Sequence, residues 1–271
     1  MLARNLRKFK LITFDCTNTL FYFKKQPSET YLQAAIEVIG KEKKELFDPK
    51  IITSSFTENF REISKKFPNF GCGTIGYDSW WTMIVQNVLK DASHNKIDPK
   101  EFVKVAEKLI DLYETEKVYE KFEKANELIN AIKKENKTVG VISNFDPRLT
   151  IILKRMKLMN FDFVITSYEA RCEKPDRKIF NLALERACGF QMGIVYPSEA
   201  LHIGNEIVKD CEGALDAGWS SILINSEKQS NEVPCFKDEH IENEFSKGTK
   251  RNSEKPKLKG VQKLDNSLRQ F

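Results

Sequence analysis

The chain has 271 residues, which is enough for one large domain or two smaller ones around a buried core. Hydrophobic residues make up 41% and charged residues 31%, a balance typical of soluble globular proteins. No apolar run approaches the roughly 20 residues of a membrane-spanning helix. The net charge of +5 is modest, and much of the excess lies after residue 237, so a nucleic-acid enzyme is not indicated.

The cysteines and the amino terminus predict a compartment. Six cysteines are scattered without a Cys-x-x-Cys pair, and none of the three histidines sits at metal-finger spacing. Such thiols are typical of a reducing, intracellular environment. The basic first ten residues lack the apolar region and cleavage site of a signal peptide. We therefore expect a cytoplasmic protein, with nuclear residence left open and no membrane partner.

The first predicted strand covers residues 10–14 and ends at an aspartate, Asp15. Between residues 23 and 116 nothing indicates a strand, and apolar residues recur at helical spacing. Helices are predicted at 49–66, around 81–89, and from 98 onward, where Asp98-Pro99 is typical of a helix start. This block predicts a helical bundle inserted after the first strand.

After residue 117 the pattern changes to alternating helices and strands. Strands are predicted at 138–142, 161–166, 200–203 and 219–224, and helical stripes separate them, the last at 209–217. Alternation of this kind predicts an α/β fold with a Rossmann-like parallel sheet sandwiched by helices. The predicted units are a core of residues 1–22 and 117–236, a helical cap of residues 23–116, and a disordered basic tail of residues 237–271.

Polar clusters stand at the ends of the predicted strands. They occupy residues 15–19, 143–146, 174–176 and 204–210. The carboxyl ends of parallel strands open on one edge of a sheet, so these clusters are expected to share one crevice. The glycine fingerprint of dinucleotide sites and the P-loop are both absent from the sequence, which argues against NAD and classical nucleotide-hydrolysing chemistry.

The ordered set of clusters resembles the haloacid dehalogenase-like hydrolase superfamily over about residues 8–230. That pattern is Asp-x-Asp-x-Thr, a strand-end Ser or Thr, Lys-Pro, and Gly-Asp with another Asp five residues later. Residues 65–71, followed by Trp80-Trp81, resemble the branch called haloacid dehalogenase-like hydrolase domain-containing protein three.

The resemblance implies a phosphohydrolase acting on a small phosphorylated molecule. Asp15 would attack the phosphorus atom and form an aspartyl-phosphate. Ser143 and the amide of Asn144 would bind the phosphoryl oxygens, and Lys174 would supply a positive charge. The helical cap would close over the site, exclude water and select the substrate.

The resemblance also implies a Mg²⁺ site. Its ligands would be Asp15, the backbone carbonyl of Thr17, and the pair Asn205 and Asp210. The cation would offset the negative charge of the nucleophile and the phosphate. We expect it to bind weakly, for the reasons that follow.

Two residues depart from the family pattern. Thr17 stands where the family has a general acid and base, and losing such a group typically costs roughly 10²–10⁴ in rate. P-type ion pumps resemble this arrangement, so Thr17 predicts slow turnover rather than none. Asn205 stands where the family has a metal-binding aspartate, and an amide brings no charge; the adjacent Glu206 would have to turn inward to replace it.

Simpler interpretations remain open. Asp15 could be a turn residue, Ser143-Asn144 a turn, Lys174-Pro175 structural, and Asp210 a helix-terminal charge. Cys16 is read as a buried filler and the Trp80-Trp81 pair as cap core. The alternative function is a catalytically inactive phosphate- or ligand-binding regulatory protein. A dehalogenase would have to release halide from a haloacid, and nothing in the sequence favours that chemistry.

Overall fold

A parallel β-sheet lies at the centre of the protein, as the sequence predicts. The structure is a computed structural model that describes residues 6–224 and 261–263. The sheet has the order β5-β4-β1-β6-β7-β8, and all of its neighbouring strands are parallel. Its strands are β1 Leu11–Phe14, β4 Thr138–Ser143, β5 Phe163–Thr166, β6 Ala200–Gly204, β7 Ser220–Leu223 and β8 Val261–Lys263.

The strand β8 belongs to the segment for which a disordered tail was predicted, residues 237–271. Its three residues pair with Ser221–Leu223 of β7. The rest of that predicted tail lies outside the described residues.

Strands β1 and β4 are buried along their whole length, which explains their nearly continuous apolar sequences. Helices cover both faces of the sheet. They are α5 Ala125–Lys134, α6 Leu149–Arg155 and α7 Arg177–Gln191. Apolar residues of α5 and α6 pack against Ile12 and Phe14, whereas those of α7 pack against Leu11 and Ile142. The alternating side chains of β1 therefore serve two cores, and the sandwich is confirmed.

Residues 24–116 contain helices and no strand, as the apolar periodicity predicts. The four main helices are α1 Pro27–Ile39, α2 Pro49–Lys66, α3 Tyr77–Ala92 and α4 Pro99–Tyr113. They share a core of their own, which includes Trp80, Ile84 and Phe102. Asp48 and Asp98 cap α2 and α4 by accepting hydrogen bonds from the backbone two residues on. No helix among the described residues is long and apolar enough to cross a membrane.

A small two-stranded antiparallel sheet, which the sequence did not reveal, lies where the chain enters and leaves this helical segment. Strand β2 covers Phe21–Phe23 and strand β3 covers Tyr119–Lys121, with Phe23 opposite Tyr119. Three-residue strands are too short to show periodicity, and their partners are far apart in sequence. This small sheet brings the two ends of the helical segment together beside the carboxyl end of β1.

Candidate active site

Asp15 is the first residue after β1, and its carboxylate is held from two directions. Its backbone N–H donates to the carbonyl of Ile203 at 2.9 Å, which extends the pairing of β1 with β6. Ser143 Oγ donates to Asp15 Oδ1 at 3.0 Å, and Lys174 Nζ donates to the same oxygen at 2.8 Å. Both of these hydrogen bonds end on the same oxygen, Oδ1.

Lys174 bridges two carboxylates in the interior. Its Nζ lies 2.8 Å from Asp15 Oδ1 and 2.6 Å from Asp210 Oδ1, and only 1% of its side chain is exposed. Burial opposes the charged form, but the two carboxylates outweigh it and raise the pKa of Lys174 above its ordinary value. Lys174 is therefore a permanent ammonium at the centre of the site.

The backbone of Lys174 is held by the side chain of Asn144. The Asn144 Nδ2 group donates to the Lys174 carbonyl at 2.9 Å, and the Lys174 N–H donates to Asn144 Oδ1 at 2.8 Å. The Lys174-Pro175 peptide bond is cis. Asn144, whose amide was predicted to bind phosphate, thus uses its side chain to fix the segment that carries Lys174.

Asp210 accepts four hydrogen bonds. Oδ1 faces Lys174 and His202, while Oδ2 accepts the backbone N–H groups of Asn205 at 2.9 Å and Glu206 at 2.8 Å. Burial works against its charge, but Lys174 and His202 hold its pKa well below the usual range. Gly204 permits this approach, since a Cβ there would collide with the Asp210 carboxyl group.

The predicted helix at residues 209–217 is wrong in its start and in its form. The chain first makes a wide π-helical turn over Ile207–Glu212 and then a short α-helix over Gly213–Asp216, which ends before Gly218 with its positive φ of 83°. In the wide turn the backbone of Asp210 and Cys211 donates to the Glu206 carbonyl. The turn points the Asp210 carboxylate back under the crevice, a use of such turns that is frequent at functional sites.

His202 is a component of the site that the sequence interpretation missed. It is fully buried in β6, where its Nδ1 lies 2.8 Å from Thr13 Oγ1 and its Nε2 lies 3.2 Å from Asp210 Oδ1. Burial and the nearby Lys174 lower its pKa, so the neutral form is favoured. These partners assign the proton to Nε2, with Nδ1 accepting from Thr13. A polar residue inside a predicted buried strand was the available signal, because such a residue must find a partner.

The two departures from the family pattern lie beside this network. Thr17 forms an isolated bridge with Phe21 in the loop after Asp15. Asn205 Oδ1 accepts from the Thr19 hydroxyl at 3.2 Å. Glu206 does not turn inward: it is half exposed and pairs with Lys209 at 2.8 Å. Within residues 6–224, no group of three or more His, Cys, Asp or Glu side chains is arranged to hold a metal ion.

Cys16, the residue after the aspartate, fits the interpretation of a filler. Its side chain is fully buried. Burial, together with the adjacent Asp15, raises the pKa of the thiol well above its ordinary value. A thiol that stays protonated is a poor nucleophile, so Cys16 is a poor candidate for a reactive group.

We expect Lys174→Met to lower the free energy of unfolding by roughly 3–5 kcal/mol, because it leaves two buried carboxylates without their cation. Urea denaturation measures the loss. The matched control is Lys178→Met, whose side chain is 79% exposed and whose change should stay within about 0.5 kcal/mol. A loss below about 1 kcal/mol for Lys174→Met would contradict the assignment of Lys174 as the partner of both carboxylates.

Taken together, these features define a class of protein. A Rossmann-like sheet presents a strand-end aspartate at its carboxyl edge, a serine and a lysine hold that aspartate, and a second aspartate anchors the lysine. The family model described as haloacid dehalogenase-like hydrolase matches residues 9–218, so the chain belongs to this family of hydrolases.

Curated relatives agree with this assignment. The chain is 34% identical over 230 residues to the Rhythmically expressed gene 2 protein of Drosophila melanogaster, covering 82% of this chain and 85% of the relative. It is 29% identical over 219 residues to haloacid dehalogenase-like hydrolase domain-containing protein 3 of Mus musculus, covering 80% and 82%. The resemblance to that branch is thereby confirmed.

Solved structures share the fold. A 2-haloacid dehalogenase from Pseudomonas syringae aligns with a TM-score of 0.56 at 22% identity, covering 84% of this chain and 91% of the other. The putative hydrolase YfnB of Bacillus subtilis, solved with bound magnesium, aligns with a TM-score of 0.56 at 16% identity, covering 80% and 89%. At these identities the likeness establishes the fold and not the substrate.

Proposed function

We propose that the protein is a slow phosphohydrolase that uses Asp15 as its nucleophile on small phosphorylated molecules in the cytoplasm. One observation carries the proposal: Lys174 joins Asp15 and Asp210 within 2.8 Å, and Ser143 binds the same Asp15 oxygen as the lysine does. The carboxylate of Asp15 is thus held through one of its two oxygens. Such a fixed anion beside a buried cation suits nucleophilic attack.

The reaction would proceed in two displacements. Asp15 Oδ2 forms a bond to phosphorus while the bond from phosphorus to the leaving oxygen breaks. Water then attacks the phosphorus of the aspartyl-phosphate, and the Asp15 carboxylate and inorganic phosphate are released. Lys174 and the Ser143 hydroxyl would stabilise the oxygens on which negative charge develops.

The slow step follows from Thr17. The departing oxygen needs a proton in the first displacement, and the attacking water must lose one in the second. A threonine hydroxyl does neither near neutral pH, so both steps depend on solvent. We therefore expect the aspartyl-phosphate to persist rather than to turn over rapidly.

Oxygen donors near Asp15 fit Mg²⁺ in kind but supply little charge. Asp15, Asn205 and the carbonyl of Thr17 would hold the ion together with an oxygen of the substrate phosphate. Mg²⁺ usually binds in this way, through one or two carboxylates and a phosphate. Asp210 already accepts four hydrogen bonds, and Glu206 is turned away. When bound, the ion would neutralise phosphate charge; its affinity should be low.

The helical segment of residues 23–116 would act as the cap. Its helices have their own core, and the two-stranded β2-β3 sheet connects the segment to the parallel sheet on the side of Asp15. The magnesium-bound structure of YfnB reveals interdomain movement in that protein. By this proposal the cap of the present chain selects the substrate and excludes water during the reaction.

Release of inorganic phosphate tests the enzyme. Purified protein is incubated with a broad panel of phosphate esters, with 10-fold steps of Mg²⁺ and with a chelator as the blank. We expect slow, Mg²⁺-dependent release from a subset of small esters. Absence of release from every ester at every Mg²⁺ concentration would overturn the proposed activity.

A second candidate is a binding protein without turnover, and the saturated Asp210 carboxylate favours it. With Asp210 engaged and Asn205 uncharged, the crevice has few groups to spare for a cation. This candidate predicts thermal stabilisation by phosphate or beryllofluoride with no phosphate release. A protein whose melting temperature ignores both anions would contradict it.

A further inference from the structure

A buried polar cluster joins the helical segment to the loop that follows β4. At its centre Asp146, which is fully buried, accepts two side-chain hydrogen bonds from Arg148, at 2.9 and 2.6 Å. Trp81 of α3 donates its Nε1–H to Asp146 Oδ2 at 2.8 Å. Arg148 also faces the rings of Tyr77 and Trp81, at 5.7 and 5.4 Å from their centres. The bidentate Asp146–Arg148 ion pair of the core thus packs against aromatic side chains of the helical segment.

The position of Asp146 in the chain gives this cluster its interest. Asp146 lies three residues after Ser143 and two after Asn144, on the same short loop. Asn144 in turn holds the backbone of Lys174 through two hydrogen bonds. A shift of the loop at Asp146 would therefore reach both groups that hold the Asp15 carboxylate.

Other contacts also join the two parts: the rings of Tyr77 and Tyr168 lie 5.6 Å apart, and Arg155 Nη1 donates to the Glu114 carbonyl at 2.9 Å. Asn69 Nδ2 donates to the Ser167 carbonyl at 2.8 Å, and the Cys72 thiol donates to the Tyr168 carbonyl at 3.2 Å. Asn69 Oδ1 is buried and has no hydrogen-bond partner among the described residues. A buried acceptor without a donor works against the closed arrangement. Among these contacts, the Trp81–Asp146 bond is the one that ends on a charged side chain of the loop after β4.

We propose that Asp146 is a positioning residue that couples the seating of the helical segment to the segment carrying Lys174. With Trp81 bound to Asp146, the loop from Ser143 to Arg148 is held in the arrangement that fixes Lys174. Without that bond, the helical segment opens and the loop loosens. The consequence for catalysis rests on the proposed function, whereas the mechanical coupling does not.

Trp81→Phe tests the coupling, because it removes the N–H donor and leaves a smaller aromatic ring beside Arg148. Trp80→Phe is the matched control, since the neighbouring Trp80 donates its N–H to the carbonyl of Phe67 inside the helical segment rather than to the core loop. A single cooperative transition in urea verifies that both variants retain their tertiary packing.

Amide hydrogen exchange supplies the readout. Replacing a hydrogen bond to a charged group should raise the population of the open form about tenfold. In Trp81→Phe we expect about tenfold faster exchange at Asn69–Cys72 and, more tellingly, at the Lys174 amide, which is bonded to Asn144. In Trp80→Phe the Lys174 amide should change by no more than about twofold, although Asn69–Cys72 can respond because Trp80 packs against Phe70.

Two results would overturn the coupling: a Lys174 amide that exchanges at the wild-type rate in Trp81→Phe, or an equal acceleration of the Lys174 amide in Trp80→Phe. A second arm adds Mg²⁺ with beryllofluoride. Because coupling is reciprocal, the anion should slow exchange at Asn69–Cys72 in the wild type. It should also bind several-fold more weakly to Trp81→Phe than to the wild type. Failure of the anion to bind any variant would count against the proposed function, while the exchange rates without it still decide the coupling.

Discussion

Asp15→Asn should abolish phosphate release, by roughly 10³-fold or more, because an amide is not a nucleophile towards phosphorus. The substitution keeps an oxygen that can accept from Ser143 and Lys174, so the fold should survive. Rapid acid quenching with a radiolabelled ester measures the covalent intermediate directly. We expect wild-type protein to accumulate acid-stable, hydroxylamine-sensitive label and Asp15→Asn to accumulate none.

The matched control for this prediction is Asp176→Asn. Asp176 caps α7 by accepting from the Lys178 backbone, and asparagine caps a helix about as well as aspartate does. Its label and release should equal those of the wild type. Label that persists in Asp15→Asn would identify a different nucleophile and would remove the basis of the proposed mechanism.

The sequence predicted the sheet because its strands carry two independent signals. Strands β1, β4 and β6 are buried apolar runs that end in a polar cluster; β1, with Leu11–Phe14 followed by Asp15, shows both. The Lys174 cluster follows β5 only after a short helix, Ser167–Ala170. The parallel arrangement then follows from the intervening helices. The same rule predicted that Asp15, Ser143, Lys174 and Asp210 would meet, and the structure brings all four together. Their catalytic roles stay predictions.

What the sequence could not reveal depends on contacts between distant segments. His202 looks like one more strand residue until Thr13 is placed opposite it in register. The β2-β3 sheet pairs two three-residue strands from opposite ends of the helical segment. Trp80 is core, as interpreted, but its neighbour Trp81 donates to Asp146, and no pattern in either segment indicates that bond.

The site explains why two departures from the family pattern should weaken activity without dismantling the fold. The structural anchor is the Lys174–Asp210 pair with His202 beside it. Asn205 contributes only its backbone N–H to that anchor, and the side chains of Thr17 and Asn205 take no part in it. Asn205 uses its amide oxygen to accept from Thr19, a role that an aspartate could fill equally well. An aspartate at position 205 would therefore keep the hydrogen bond from Thr19.

Thr17→Asp combined with Asn205→Asp should raise Mg²⁺-dependent phosphate release by roughly 10²–10⁴-fold. The two changes act on different quantities. A carboxyl group at position 17 can protonate the leaving oxygen and then activate water, so it should raise the rate at saturating Mg²⁺. A carboxylate at position 205 adds an anionic ligand, so it should lower the Mg²⁺ concentration needed for half of the maximal rate.

Stability provides an independent reading of the same double variant. Without Mg²⁺, two added carboxylates near Asp15 and Asp210 repel one another, so the melting temperature should fall; Mg²⁺ should restore it by binding the folded state. Asn18→Asp is the matched control, because it adds one charge to the same loop at a position whose φ of 60° suits aspartate. If the control gains activity as the double variant does, charge alone is responsible. If neither gains any, the barrier lies in how the helical segment covers the crevice, because the chemical groups would then be complete.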